Sequence, residues 1–119
     1  MNTNQVVGLE ERFYVGEHGF KFVVKTGLNM SALAEGEIKS VLKCPHNITI
    51  KRVIPLVDVV DAVTGTVLME VGSGDLDAAG NYSAQIFILD SSLNQARPSH
   101  IFTFVVMDPV VKDFESIFA

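Results

Sequence analysis

The sequence contains no tryptophan and a single cysteine, Cys44. One cysteine excludes an intramolecular disulfide and a cage of several thiolates around a metal, so the fold must depend on packing alone. No apolar run approaches the roughly 18 residues that cross a bilayer, and no charged region followed by an apolar segment opens the chain. We therefore expect no membrane partner and no signal peptide.

Positive charge is also scarce. Nine lysine and arginine residues stand against fourteen aspartate and glutamate residues, which gives a formal net charge of -5. The basic residues are scattered from Arg12 to Lys112 without a cluster, so nucleic acid is not an expected partner. Apolar residues, by contrast, make up 48% of the 119 residues, which is enough for one packed domain.

Short runs of alternating apolar and polar residues predict β-strands. In the clearest, Phe20–Lys25, the aromatic residues should face inward and the lysines outward. Further runs are predicted around Phe13 to Val15, at 37–43, from Ile48 to Pro55, at 57–61 and 66–71 as a hairpin through Gly65, and at 81–89 and 100–107. The last two should be central neighbours, joined by a polar loop. About seven or eight strands at this spacing predict an all-β, antiparallel sandwich.

After the last of these runs the pattern changes to helical spacing. Asp108 is an N-cap candidate, and Pro109 suits the first helical position. Apolar residues then recur at Val110, Val111, Phe114, Ile117 and Phe118. A helix of this length is not stable alone. Its apolar stripe must therefore pack either on the sandwich or on another chain, and both possibilities remain open. These five residues are the predicted partner-binding residues.

The segment around Tyr82 carries the most information about the fold. In immunoglobulin-like sandwiches, a tyrosine near the start of strand F returns its hydroxyl to the backbone a few residues upstream. Tyr82 fits that place, and Gly80 supplies the unrestricted backbone that a sharp approach needs. Ala84 stands where antibody domains have a cysteine. An ordinary Asp/Gly turn before a β-strand is the alternative interpretation.

Four segments extend this pattern along the chain. They are the turn Gly16-Glu17-His18-Gly19, the stretch from Leu28 to Leu33, the turn from Asp61 to Gly65, and the run from Leu76 to Tyr82. Their order resembles the N-terminal immunoglobulin-like domain of phage baseplate upper proteins, over roughly residues 11–107. The chain departs from that family by an acidic residue in the first turn and by a helix in place of a long downstream region.

The resemblance implies a structural component of a phage virion, in the tail, baseplate or head, made in the host cytoplasm. Such a component binds copies of itself or other virion proteins, and we expect a homo-oligomer in the particle. The expected organisation is an N-terminal arm at 1–10, the immunoglobulin-like β-sandwich at 11–107, and a short helical tail at 108–119.

Residues with catalytic or metal-binding potential form no recognisable constellation. His18, His46 and His100 fall in or beside turns, without His-x-x-x-His spacing or accompanying carboxylates. Cys44 has no assignable base and should be a partly buried thiol. We therefore expect no enzyme activity, no metal and no cofactor.

Two alternatives remain. Asp75, Asp77 and Asp90 could hold calcium if their loops converge, although solvated turn aspartates are the simpler interpretation. The domain could also recognise carbohydrate or a host surface through its loops. Such sites usually present aromatic rings, and the chain offers no tryptophan and only Tyr14 and Tyr82, of which Tyr82 is assigned to the corner.

Overall fold

Two β-sheets packed face to face enclose the core of the protein. A computed structural model describes residues 12–111 and 114–118. The strands of this part of the chain are β1 (Arg12–Tyr14), β2 (Phe20–Lys25), β3 (Ile38–Lys43), β4 (Thr49–Val53), β5 (Val59–Asp61), β6 (Thr66–Val71), β7 (Gly80–Asp90), β8 (Gln95–Pro98) and β9 (Phe102–Met107). Single 3-10 turns at Pro45–Asn47 and Leu56–Asp58 precede β4 and β5, and helix α1 covers Phe114–Phe118.

The strand order confirms the predicted immunoglobulin-like sandwich. The larger sheet runs β1-β9-β7-β3-β4, with β8 also paired to β7, and the smaller sheet runs β2-β6-β5. All pairings are antiparallel except that of β1 with β9, which is parallel. The predicted neighbours β7 and β9 pair from Gly80 opposite Val106 to Ala84 opposite Phe102. The hairpin through Gly65 is also present, and Gly65 has the positive φ of 70° that its turn requires.

The inward faces are those that alternation predicted. In β2, Phe22 and Val24 are buried and Lys25 is exposed. In β3, where the pattern left the inward face open, Ile38, Ser40 and Leu42 turn inward. An aromatic cluster occupies one end of the core, since the ring of Phe104 lies 5.2 Å from Phe13, 6.4 Å from Phe22 and 5.5 Å from Tyr82. Each such buried ring contributes on the order of 2 kcal/mol.

The loop predicted between the two long strands is partly a strand, and that prediction was wrong. β8 pairs with the second half of β7, from Phe87 opposite Pro98 to Asp90 opposite Gln95. The reason is the length of β7, because β9 pairs only its first half and the remaining amides need other partners. Ser99 bridges the change of partner, since its backbone amide donates to the oxygen of Ile86 at 2.7 Å and its hydroxyl accepts from the amide of Ile86 at 3.0 Å.

The C-terminal helix begins later than the sequence predicted. Helix α1 starts at Phe114, whereas Asp108 to Val111 is not helical. Two adjacent valines explain the delay, because β-branched side chains lose rotamer freedom in a helix. The predicted arm at 1–10 and residues 112, 113 and 119 of the predicted tail lie outside the described residues. The domain limits at 11–107 and 108–119 remain predictions.

Candidate protein-binding surface

The predicted partner-binding residues lie mostly in solvent. Val110 is fully exposed, Phe118 is 87% exposed and Ile117 is 57% exposed, with Val111 partly exposed as well. The backbone of Phe114 opens helix α1, while its side chain is not among those described. The sequence left open whether the apolar stripe packs on the sandwich or on another chain. In the structure, the sandwich does not cover the four side chains named above.

A second group of exposed apolar residues adjoins this tail. Tyr14 of β1 is the register partner of Met107 of β9, and Val105 lies two residues earlier on the same face. All three side chains are between 41% and 43% exposed. Val110 follows Met107 after only two residues, so the two groups of exposed apolar residues are close together in the chain. Large exposed apolar patches on a globular domain commonly mark protein interfaces.

Tyr14, Val105 and Met107 belong to the solvent-facing side of the larger sheet, here named the outer face. Its other members on β3, β4, β7 and β9 share their orientation through the strand register. They are Lys39, Val41, Lys43, Thr49, Lys51, Val53, Asn81, Ser83, Gln85, Phe87, Leu89 and Thr103. None of these strand positions carries a carboxylate, although the chain as a whole has a net charge of -5.

The predicted tyrosine corner supports the sandwich from within. The Tyr82 hydroxyl donates to the carbonyl oxygen of Ala78 at 2.7 Å, and burial raises the pKa of this phenol, which keeps it a donor. Gly80 has a φ of 142°, and a Cβ there would lie 3.1 Å from Cγ of Pro45. Ala84 is 1% exposed, so packing fills the place of the cysteine.

A buried ion pair holds the turn before the corner. Both oxygens of Asp75 accept from the guanidinium of Arg52, the second bond measuring 2.9 Å, and one also accepts from the amide of Gly72. Asp75 is 3% exposed. Nearby, burial raises the pKa of the Cys44 thiol, and the charges of Asp75 and Asp77 add to the effect. A thiol held neutral in this way is a poor nucleophile.

The residues considered for metal binding lie apart. Asp75 is engaged by Arg52 at one end of the sandwich, whereas Asp90 caps the hairpin turn at the other end by accepting from the amides of Ser92 and Leu93. Across residues 12–111 and 114–118, no group of three or more His, Cys, Asp or Glu side chains is arranged to hold a metal ion.

An open cleft of about 570 Å³ lies among the loops at the end opposite the corner. Its walls are Lys25, Thr26, Gly27, Asp61, Thr64, Thr66 and His100. The ring of His100 lies 4.2 Å from that of Phe102, edge to face. Hydroxyl, amine, carboxylate and imidazole groups are among the groups that line this cleft, and no aromatic ring other than the imidazole lines it.

The sequence pattern predicted the corner, which the structure confirms, and the tail, whose binding role remains a prediction. It did not indicate the outer face. Its signal was present in the spacing, because Lys39, Val41 and Lys43 occupy alternate positions of one strand. What the sequence did not show is that Lys51 lies opposite Val41 on the neighbouring strand. It also missed the pairing of Arg52 with Asp75, because the two residues are far apart in the chain.

No protein-family model matches the chain, and a search of curated proteins found no match. The fold is therefore defined by the structure alone, as an immunoglobulin-like β-sandwich with a short C-terminal helix. No helix in the described part of the chain has the length and apolar character to cross a membrane.

Proposed function

We propose that the chain is a non-enzymatic structural component of a phage virion that works by binding neighbouring protein subunits. The observation that carries this proposal is the exposure of apolar side chains on the sheet, at Tyr14 and Met107, and after it, at Val110, Ile117 and Phe118. Surface of this kind is costly to leave in water and is stabilised when a partner covers it. The resemblance of the loops and turns to the baseplate domains supplies the virion context.

The test is to locate the protein in purified particles of a phage that encodes it, by mass spectrometry and immunogold labelling. We expect the protein in the particle, and we expect the full chain carrying Ile117→Ser and Phe118→Ser to be lost from it. Val57→Ser with Val60→Ser is the matched control, because those valines are 87% and 61% exposed on another part of the surface. Absence of the wild-type protein from particles would refute the proposal.

A second candidate function is recognition of carbohydrate through the open cleft at the loop end. The supporting observation is its lining of threonine hydroxyls with Lys25, Asp61 and His100, which are groups that hydrogen-bond sugars. A glycan array probed with the wild-type chain and with Asp61→Asn tests this candidate. Binding that is lost in the variant would support recognition over assembly.

A further inference from the structure

The outer face concentrates positive charge in an acidic protein. Lys39 and Lys43 flank Val41 on β3, and Val41 lies opposite Lys51 on β4. Lys51 is therefore diagonal to both other lysines, a relationship that separates residues by about 7–8 Å. The three side chains are exposed, and none forms an ion pair with a described residue. Three uncompensated ammonium groups at this spacing repel one another and favour a negatively charged partner.

The same face offers apolar contact beside the lysines. Lys39 has two register partners, which are Val53 on β4 and Phe87 on β7. Val53 is 50% and Phe87 is 39% exposed. A partner that fits this face combines carboxylates with apolar side chains.

The chain itself contains a segment with this combination at residues 108–119. Lys112 is its only basic residue, whereas Asp108, Asp113 and Glu115 are acidic. One positive charge against three negative charges leaves the segment at a net charge of -2. Its apolar members include Val110, Ile117 and Phe118, which are exposed in the structure.

From this complementarity of charge and apolar character we infer that the occupant of the outer face is the segment 108–119 of a second copy of this chain. The segment of each copy lies across the outer face of the other, so that a two-fold axis relates the two contacts. In this contact Asp113 and Glu115 meet Lys39, Lys43 and Lys51, and the apolar residues of the segment cover Phe87 and Val53. This inference rests on the proposed assembly function and names one partner for it.

Sedimentation of the 119-residue chain in an analytical ultracentrifuge tests the inference. We expect a dimer whose dissociation constant rises with salt, because the Debye length falls from about 10 Å at 0.1 M to about 3 Å at 1 M. For each of two charge-reversed variants, the dissociation constant of the dimer should be at least about tenfold higher than for the wild-type chain. The face variant carries Lys39→Glu, Lys43→Glu and Lys51→Glu, and the segment variant carries Asp113→Lys and Glu115→Lys.

Mixing the two variants is the decisive step. In the mixture, the acidic segment of the face variant meets a basic face, and the basic segment of the other variant meets an acidic face. We therefore expect a heterodimer close to wild-type affinity. Arg97→Glu is the control, because Arg97 is exposed and is the register partner of the inward-facing Ile88, and its dimer should be unchanged. Circular dichroism and thermal unfolding confirm that each variant is folded.

Three results would overturn the inference. A monomeric wild-type chain would show that no second copy binds, and a mixture that stays monomeric would show that the segment does not dock in trans. A dimer that survives in both variants would place the contact on another surface. The proposed virion function would stand in each case if the protein is found in particles and loses its place with Ile117→Ser and Phe118→Ser.

Discussion

The phenolic oxygen of Tyr82 lies 2.7 Å from the carbonyl oxygen of Ala78, and the two residues close the turn that leads into β7. Tyr82→Phe removes this hydrogen bond and leaves a half-buried carbonyl without it. We expect the free energy of unfolding to fall by about 1–2 kcal/mol, measured as a lower urea midpoint with an unchanged slope. Tyr14→Phe is the control, because Tyr14 is 43% exposed. Equal effects of the two substitutions would argue against a structural corner.

The pairing of Arg52 with Asp75 gives a second prediction. Arg52→Met leaves the Asp75 carboxylate, which is 3% exposed, without its main partner. We expect a loss of about 2–3 kcal/mol, because an unpaired buried charge costs more than the pair contributes. Arg52 also lies 3.7 Å from the exposed Glu70, and Glu70→Gln should change stability by less than about 0.5 kcal/mol. Chemical denaturation of both variants decides whether the buried contact dominates.

Two glycines with similar backbones separate strain from crowding. Gly65 has a φ of 70° and Gly27 a φ of 74°. A Cβ at Gly65 would collide with the backbone of Leu28 and the hydroxyl of Thr26, whereas a Cβ at Gly27 would meet nothing within 4 Å. Gly27→Ala should therefore cost only the backbone strain of about 1 kcal/mol, and Gly65→Ala about 3 kcal/mol or more. Thermal unfolding measures both, and similar losses would show that the Gly65 turn is loosely packed.

The Cys44 thiol should react slowly in the folded protein. Burial, together with the charges of Asp75 and Asp77, raises its pKa, so the reactive thiolate forms only above the usual thiol range of about 8.5. The neutral thiol is favoured by folding, so its contribution to stability is complete below the unfolded pKa and is lost as pH rises through the folded pKa.

Alkylation followed against pH tests this expectation. The alkylation rate of the native protein should lie below that of the denatured protein at every pH. Its increase with pH should also occur at a higher pH than in the denatured protein. Cys44→Ala is the blank for reaction elsewhere. A native rate equal to the denatured rate would mean that the thiol is accessible.

Much of the sandwich could be predicted because the alternation of apolar and polar residues indicates which face of a strand is buried. Phe22 and Val24 faced inward as their spacing indicated, and the corner at Tyr82 depended on residues only four positions apart. The strand β8 could not be predicted in this way. Its residues are exposed and lack alternation. It forms because β9 pairs only the first half of β7, which leaves the edge of the second half that faces away from β3 without another partner.

The sequence by itself determined an all-β domain with one corner tyrosine, no disulfide and an apolar segment after Asp108. These are properties of composition and of short-range spacing. Only the tertiary structure decided which strands became neighbours, and therefore which charges came together. Lys51 joined Lys39 and Lys43 on one face, and Arg52 reached Asp75, because strand register is set by the packing of two sheets around a shared core.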